Sequence, residues 1–576
     1  MAQRMLPGPG SLRRVSFGLS DVAVFLGAIG LLALIAKVGA GAFTSFAPPQ
    51  VVPAVSLDPR NLPYYAGRST LRMFIGLAAS LVFTFAYGYA AARSRYAERI
   101  LIPLLDILQS VPVLGFLSIT VTGFIALFPG SLLGLEAASI FAIFTAQAWN
   151  MAFSFYQSLR TLPSDLVEAT AAYRLSYWER FVRLEVPAGM IGLVWNAMMS
   201  FGGGWFFLAA SEAISVLNRS YTLPGIGSYV AAAVTAKDMP ALGWAVLTMA
   251  GVIFAIDQLF WRPLVAWSDK FRLEQSASAS PPQSWLYDLL RGSRLAGFAG
   301  ALWTPVSDAA SGLLSSLTQV RPRRAPGPRG VIADRVYTLA LVVLVAALVI
   351  AGVRFIFAAV GLREVVKVAE LGIYTSLRVL ILLAFATVIW TPIGVAIGFS
   401  PKLARVMQPI VLFFASFPAN FIFPFATLAF LQYHIPINTG SILLMALGAQ
   451  WYILFNSIAG AQSIPTDLRE MADDIGLQGR QRWRRLIVPG IFSSWVTGGI
   501  TASGGAWNAS IVSEVVTWGT STLTAAGLGA YIAEATSKGD WPRITLGVGM
   551  MSLYVVCINR ILWRRLYALA ERKYHL

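Results

Sequence analysis

Long apolar runs, separated by polar segments rich in Lys and Arg, divide almost the whole chain. About 20 apolar residues suffice to cross the hydrocarbon core of a bilayer, and twelve runs approach that length. They lie near residues 21–40, 69–92, 100–128, 135–158, 188–210 and 241–261, and again near 335–360, 374–398, 408–431, 440–460, 490–511 and 543–563. The pattern predicts an all-α integral membrane protein of twelve transmembrane helices, six in each half.

The two sets of runs are one duplicated unit. Thr70-Leu71-Arg72, Gly88 and Pro103 recur 306 residues later as Ser376-Leu377-Arg378, Gly394 and Pro409. Pro163, Asp165, Glu168 and Ser211-Glu212 recur 302 residues later as Pro465, Asp467, Glu470 and Ser513-Glu514. Related halves of a membrane protein commonly enclose one pathway about a pseudo-twofold axis. We therefore predict a first unit at 1–263 (core 69–262) and a second at 335–576 (core 374–564).

Residues 264–334 join the two units. Pro, Ser and Arg tracts, such as Ser276–Pro282 and Arg321–Arg329, are typical of linkers, and the stretch from Trp285 to Leu317 suggests a helix lying on the membrane surface. A plain tether is the simpler interpretation of this linker. The first run is read as a membrane helix, with a cleaved signal peptide as the alternative, because Arg4, Arg13 and Arg14 precede it.

Composition supports the membrane assignment. The chain is 57% hydrophobic and 12% charged, whereas about a quarter of the residues of soluble proteins are charged. The net charge of +17 is spread between the apolar runs rather than gathered into a nucleic-acid-binding domain. Most Lys and Arg fall in segments that share one side, so the positive-inside rule places both termini in the cytoplasm of a bacterial cell, with the chain in the inner membrane.

The longest predicted cytoplasmic loop reads alike in both halves. We call residues 162–187 the first signature loop and residues 464–489 the second. Asp165 and Asp467 are placed to cap a short helix, with Glu168 and Glu470 at the spacing of a capping box. Gly476 suits a left-handed turn at the helix end, but Arg174 stands at the matching place. We therefore expect the first loop to turn differently from the second.

These loops resemble the Glu-Ala-Ala signature of permease subunits in binding-protein-dependent ABC importers. The matching positions are Glu470, Ala472, Gly476, Leu486, Val488 and Pro489 in the second loop, and Glu168, Ala169, Leu184, Val186 and Pro187 in the first, with Arg174 as the departure. The resemblance covers about 70–262 and 376–564, and its order of segments is most similar to the nitrate, sulfonate and taurine type. It implies the type I importer permease fold.

The resemblance also implies partners. Each loop would form a coupling helix seated on one of two cytoplasmic ATPase subunits, and a solute-binding protein would act outside. The chain has no G-x-x-x-x-G-K-[ST] segment, so ATP and magnesium would be bound by the ATPase partners and no cofactor by this chain. The single Cys557 and the two histidines, His434 and His575, offer no His-based metal site and no Ser/His/Asp constellation. The chain is therefore expected not to be an enzyme.

Polar and small residues inside the runs are candidates for the substrate pathway. They comprise Gln147, Asn150, Ser200, Gly203, Trp205, Gln450, Tyr452, Asn456, Ser503, Gly505, Trp507 and Asn508. Glycines let backbones approach each other or a solute, and buried amides bond between helices or face a polar route. Both interpretations stay open. Glu212 and Glu514 are expected near the outer interface or paired with backbone, because an unpaired acid in hydrocarbon is costly.

The sequence therefore predicts the permease of an ATP-driven importer for a small solute, most simply an anion such as nitrate, bicarbonate or a sulfonate, working by alternating access. Two alternatives are an ion-gradient-driven secondary transporter and a membrane scaffold without transport. The first alternative needs ionisable residues inside the membrane, and the apolar runs contain few of them. The paired signature loops argue against the second.

Overall fold

The structure, a computed structural model, describes residues 55–110, 113–129, 131–216, 219–271, 284–293 and 329–573, together with Val22, Leu26, Gly27, Ile29, Gly30 and Gly312. Within this part of the chain, eight helices are long and apolar enough to cross a membrane, and all eight coincide with predicted runs. The helix predicted at 135–158 is also present, with 28 residues. The run predicted at 21–40 and most of the linker lie outside the described residues.

The helices of the first half follow the predicted order. They are α1 (Leu62–Arg93), α2 (Arg95–Ser110), α3 (Val113–Leu127), α4 (Leu133–Arg160), α5 (Ser164–Ala172), α6 (Tyr177–Arg180), α7 (Val186–Glu212), α8 (Ile226–Ala236), α9 (Met239–Ile256) and α10 (Arg262–Ser268). One helix of the linker, α11, covers Trp285–Gly292. Strands β1 (Ala213–Val216) and β2 (Arg219–Thr222) form an antiparallel hairpin after α7.

The second half repeats this succession. Its helices are α12 (Arg329–Phe357), α13 (Leu362–Phe399), α14 (Pro401–Ser416), α15 (Phe423–Gln432), α16 (Ile437–Ser463), α17 (Thr466–Asp474), α18 (Gly479–Arg482), α19 (Val488–Ser513), α20 (Leu528–Lys538), α21 (Trp541–Ile558) and α22 (Arg564–Lys573). The hairpin of strands β3 (Val515–Trp518) and β4 (Ser521–Thr524) follows α19.

The repeat holds residue by residue. Corresponding elements of the two halves begin and end 302 residues apart. This holds for α5 and α17, for the β1–β2 and β3–β4 hairpins, for α8 and α20, and for α9 and α21. Even the irregular turns are duplicated, because the π-helical segments Phe181–Glu185 and Asp257–Trp261 recur as Trp483–Ile487 and Asn559–Trp563. The duplication is therefore structural as well as sequential.

The third run of each half is not one continuous helix. The run at 408–431 breaks at Phe417 and Pro418, where the chain passes through a short 3-10 turn at Ala419–Phe421. The run at 100–128 is divided between α2 and α3 at the corresponding place. Proline has no backbone N–H and restricts the residue before it, so a helix usually ends there. Each of these runs therefore supplies two shorter helices.

The chain groups into two compact units. The first comprises Met1–Lys37, Leu162–Ile191 and Ile256–Arg321, and it contains the first signature loop. The second comprises Val38–Thr161, Gly192–Ala255 and Pro322–Leu576. The large apolar core lies in the second unit and joins side chains of both halves, such as Leu117, Val121, Trp507 and Ile532. The domain boundaries at 263/264 and 334/335 remain predictions.

Candidate functional site

The signature loops start their helices differently from the prediction. Pro163 and Pro465 occupy the N-cap positions of α5 and α17, and neither helix start has a side-chain cap. Asp165 and Asp467 lie inside the first turn, so the predicted capping box at these residues is wrong. A carboxylate there still faces the positive end of the helix dipole. A capping box does occur further along the first loop, between Ser176 and Glu179.

The helix ends of the two loops have the same geometry, contrary to our expectation. Arg174 has φ 53° and Gly476 has φ 67°, so both lie in the left-handed region. The closing hydrogen bonds also correspond: Leu175 N donates to Thr170 O at 3.1 Å, and Leu477 N donates to Ala472 O at 2.8 Å. The helix-end bonding and surrounding turn hold Arg174 in a conformation that costs an L residue about 1 kcal/mol.

Each loop helix has a buried face and an exposed face. Thr170 and Ala472 are buried at equivalent positions, whereas Glu168, Ala169 and Glu470 are exposed. Large apolar side chains also lie exposed at the helix ends, with Tyr173 81% and Ile475 62% exposed. A helix that exposes both a large apolar side chain and a carboxylate is a suitable contact for another protein.

The second loop is fixed to its own half by one arginine. Arg469 Nη2 donates to Ala461 O at 2.6 Å, and its guanidinium lies 4.7 Å from the centre of the Phe399 ring. Burial, together with the nearby charge of Arg482, lowers the pKa of Arg469. Arg482 in turn pairs with Asp473. Pro187 and Pro489, which close the two loops, lie at the starts of α7 and α19.

The pathway candidates do not form one cluster. Gln147 is fully buried on α4, and its amide atoms have no hydrogen-bond partner among the described residues. A Cβ on Gly204 would lie 3.0 Å from Gln147 Nε2 and 3.0 Å from Met73 Cε, which places Gln147 inside the first half. Ser200, one turn before Gly204, is also buried, and the part of the chain that the structure describes offers its hydroxyl no hydrogen-bond partner.

Tyr452 lies where the glycine-rich helices of both halves meet. A Cβ on Gly203 would lie 3.2 Å from the Tyr452 hydroxyl oxygen, and a Cβ on Gly505 would lie 3.5 Å from the same ring. The neighbouring Gly202 leaves similar room for Ser416, whose Oγ would be 2.6 Å from a Cβ there. The glycines therefore allow α16 to approach α7 and α19 at once, and a hydroxyl group faces this junction.

The other polar candidates bond within or between helices. Trp390 Nε1 donates to Gln450 Oε1 at 3.0 Å, Asn456 Nδ2 donates to Tyr452 O at 2.8 Å, and Gln109 Nε2 donates to Asn150 Oδ1 at 3.4 Å. Asn508 connects the halves, because its Oδ1 accepts from Val113 N at 3.0 Å. Ser503, Trp205 and Trp507 are buried, and Trp507 belongs to the large apolar core. For these residues the structure favours helix packing over direct lining.

A closed network of buried charges, which the sequence analysis missed, lies in the first half. Arg72 Nη1 contacts Glu212 Oε1 at 2.6 Å and Arg72 Nε contacts Glu136 Oε2 at 2.5 Å, while Arg68 pairs with Glu136. Each of the four side chains is at most 4% exposed. The network carries two positive and two negative charges, which removes the cost of an isolated charge in hydrocarbon.

The second half has a reduced version of this network. Arg378 Nη1 contacts Glu514 Oε1 at 2.7 Å, and Arg378 Nη2 donates to Asn438 Oδ1 at 2.9 Å. By the repeat, Tyr374 replaces Arg68 and Asn438 replaces Glu136. The positions of Arg68 and Glu136 thus hold neutral residues in the second half, where Tyr374 is 41% exposed and donates to Glu370 Oε1 at 2.7 Å, and the sum of formal charges stays zero. The recurrence of Arg72 as Arg378 was the visible signal in the sequence for these networks, although it did not identify the partners.

Comparison with known proteins agrees with the repeated architecture. The family described as "Binding-protein-dependent transport system inner membrane component" matches twice, at residues 80–260 and 390–574. The chain belongs to this family of inner-membrane permease components. It is 23% identical to the nitrate import permease protein of Leptolyngbya laminosa over 32% of this chain and 62% of that protein.

Two further relatives have other solutes in their names. The chain is 25% identical to the bicarbonate transport system permease protein of Synechococcus elongatus, over 31% of this chain and 60% of that protein. It is 24% identical to the taurine transport system permease protein of Escherichia coli, over 33% of this chain and 67% of that protein. The chain thus spans about three fifths to two thirds of the length of these relatives. Among the described residues no group of three or more His, Cys, Asp or Glu could hold a metal ion.

Proposed function

We propose that this chain is the transmembrane permease of an ATP-driven importer for a small anion, in which each signature loop docks on one of two cytoplasmic ATPase subunits. A solute-binding protein delivers the solute from outside, and ATP hydrolysis on the partners drives alternating access. The observation that carries the proposal is the matched pair of loops. Both loop helices end in the same left-handed turn, and both expose a carboxylate, Glu168 or Glu470, and a large apolar side chain, Tyr173 or Ile475.

The proposed solute carries an oxyanion group. Relatives of this chain are named for nitrate, bicarbonate and taurine, and each of these solutes has such a group. The predicted pathway residues are neutral, and the buried arginines Arg72 and Arg378 are already neutralised by carboxylates. Hydroxyl and amide donors bind an anion without holding it as strongly as an unpaired arginine would, which favours passage.

The buried carboxylates do not favour the alternative of an ion-driven transporter. Glu212 accepts hydrogen bonds from Arg72, from Ser69 Oγ at 2.6 Å and from Gly227 N at 2.7 Å. Glu514 likewise accepts from Arg378, Thr375 and Ala530. A buried carboxylate with this many fixed partners takes part in a structural hydrogen-bond network, which does not favour a role in exchanging ions along a pathway.

The function is tested with the purified protein. Affinity purification should retain an ATPase, and the complex in proteoliposomes should hydrolyse ATP faster when its binding protein and one of nitrate, bicarbonate or taurine are present. Absence of a bound ATPase, or uptake that follows an ion gradient without ATP, would overturn the proposal. Stimulation by only one of the three solutes would identify the substrate.

The pathway is tested at Tyr452. Tyr452→Phe keeps the ring at the junction and removes the hydroxyl, so we expect the half-saturating solute concentration for uptake to rise by about tenfold, as for loss of one hydrogen bond. Tyr433→Phe, at a tyrosine that is 70% exposed outside the long helices, is the matched control and should leave uptake unchanged. Unchanged uptake in both variants would remove Tyr452 from the pathway.

A further inference from the structure

The two buried charge networks each hold the start of a short helix. We call α8 and α20 the arm helices. In the first half, Gly227 N donates to Glu212 Oε2 at 2.7 Å, and Ile226 N donates to Ser69 Oγ at 3.0 Å. Arg72 Nη2 also donates to Pro224 O at 3.0 Å. The free N–H groups at the start of α8 are therefore satisfied by residues distant in sequence.

The second arm helix is held in the same way. Leu528 N donates to Thr375 Oγ1 at 2.8 Å, and Ala530 N donates to Glu514 Oε2 at 3.1 Å. Arg378 Nη2 donates to Ala526 O at 2.8 Å. Glycine precedes each arm helix, and a Cβ there would lie 2.3 Å from the Glu212 carboxyl carbon or 2.2 Å from Glu514 Oε2. The Glu212 and Glu514 carboxylates thus lie directly against the glycine that precedes each arm helix.

The far end of the first arm helix contacts the other half. Gly519 N, at the tip of the β3–β4 hairpin, donates to Val234 O at 3.1 Å, and the Lys237 side chain lies against Gly519. A cavity of about 270 Å³ lies between this arm and the second half, with Thr235, Asn420 and Thr517 among its lining residues.

The second arm helix contacts the first half through apolar packing. Ile532 shares one hydrophobic cluster with Leu114, Leu117 and Val121 of α3. At the first arm, the residues corresponding to Leu114 and Val121 are Asn420 and Thr427, which line the cavity instead. The first arm therefore has the looser and more polar contact with the opposite half.

We propose that Glu212 and Glu514, each held by its arginine, are positioning residues that hold an arm helix of their own half against the opposite half and so set the closure of the pathway at its outer end. The outer placement rests on the proposed function. The chain of contacts runs from each carboxylate through its arm to the opposite hairpin or helix. Closure at this end is released when the arms separate from the opposite half.

Cross-linking measures arm position directly. Cysteines replace Thr235 and Thr517, which line the same cavity, in a Cys557→Ser background, and a short bismaleimide joins them. In the complex with its ATPases, the cross-linking yield should be high without nucleotide and about fivefold lower after trapping with ATP and vanadate, as expected for a shift between two states. Equal yields in both states would overturn the proposal.

Mild variants separate positioning from general damage. Ser69→Ala removes the bond to Ile226 N and should lower the cross-linking yield between positions 235 and 517 without nucleotide. The repeat counterparts of these positions are Ser215 and Ser537. Cysteines at that second pair should cross-link with an unchanged yield. Thr375→Ala should show the reverse. Ser69→Thr, which introduces the hydroxyl of the second half, should retain the original yield. A lower cross-linking yield at both cysteine pairs in either alanine variant would overturn the assignment of one arm helix to each network.

This readout also distinguishes the two proposals. The Ser69 and Thr375 comparisons need neither nucleotide nor solute, so they report arm positioning even if the chain does not import an anion. An absence of ATP hydrolysis by the complex, with the arm-specific effects intact, would count against the proposed function and not against the positioning residues.

Discussion

At the scale of single residues, the two networks show where sequence reasoning ended. The span-end position of Glu212 predicted either a place near the outer interface or a backbone partner, and the bond from Gly227 N agrees with the second alternative. Its arginine partner lies 140 residues away on α1. Such a pairing depends on how α1 packs against α7, which no local pattern reports. The repeat of Arg72 as Arg378 was visible, but its partners were not.

The neutral residues Tyr374 and Asn438 of the second half predict that a double variant of the first half is more stable than a single one. Glu136→Asn alone leaves Arg68 as an uncompensated buried charge, and breaking a buried pair in this way costs about 3–5 kcal/mol. Adding Arg68→Tyr removes this uncompensated charge and introduces the residue type that the second half has at Tyr374, so it should recover most of the loss. Thermal midpoints of the purified single and double variants in detergent provide the measurement. A double variant no more stable than Glu136→Asn would contradict the equivalence of the networks.

The left-handed turn predicts that Gly476→Arg is tolerated. The first half already holds Arg174 in the same turn, and a Cβ at Gly476 would meet no atom within 4 Å. We expect a cost of about 1 kcal/mol and retained solute-stimulated ATP hydrolysis. Gly227→Ala is a contrasting control, because its Cβ would lie 2.6 Å from Ala209 O. Loss of folding from Gly476→Arg would show that the two turns differ.

At the scale of elements, the long helices could be predicted because apolar runs and helix length are properties of the local sequence. The β1–β2 and β3–β4 hairpins were not predicted, since each strand has only four residues and lies next to a long apolar run. The Ser-Phe-Pro sequence before the break favours a helix end at Pro418. The length of the apolar run nevertheless predicted one span through α14 and α15. The signature helices were predicted, whereas the predicted caps at Asp165 and Asp467 were wrong.

The exposed carboxylate of the second signature helix predicts a loss of coupling without a loss of folding. Glu470→Lys places a cation in the N-terminal half of α17, where the dipole penalty is about 0.3–1 kcal/mol. Expression should persist while solute-stimulated ATP hydrolysis falls by tenfold or more, on the order expected for a disrupted docking contact. Asp288→Lys, in the first turn of α11, reverses a charge outside the loops and should have no such effect. Normal stimulation in Glu470→Lys would exclude a docking role for this residue.

At the scale of the whole molecule, the duplication was the most reliable signal in the sequence, because it matches the structure to the residue over several elements. What it could not supply is how the halves meet. Gly203 from one half and Tyr452 from the other are close because glycine lacks a side chain, and the exchange of Leu114 for Asn420 makes the two interfaces unequal. The candidate pathway residues therefore lie partly in helix packing and partly near the junction of the two halves.

The whole-molecule orientation gives the last prediction. Because Lys and Arg concentrate beside the signature loops, both loops are expected in the cytoplasm. Single cysteines at Ser164 and Thr466, both exposed, in a Cys557→Ser background should resist an impermeant thiol reagent in intact cells and react after lysis. Tyr433→Cys, 70% exposed between α15 and α16, should react in intact cells, since one membrane crossing separates it from the second loop. Labelling at Thr466 but not at Tyr433 in intact cells would invert the orientation and contradict the proposed docking of cytoplasmic ATPases on these loops.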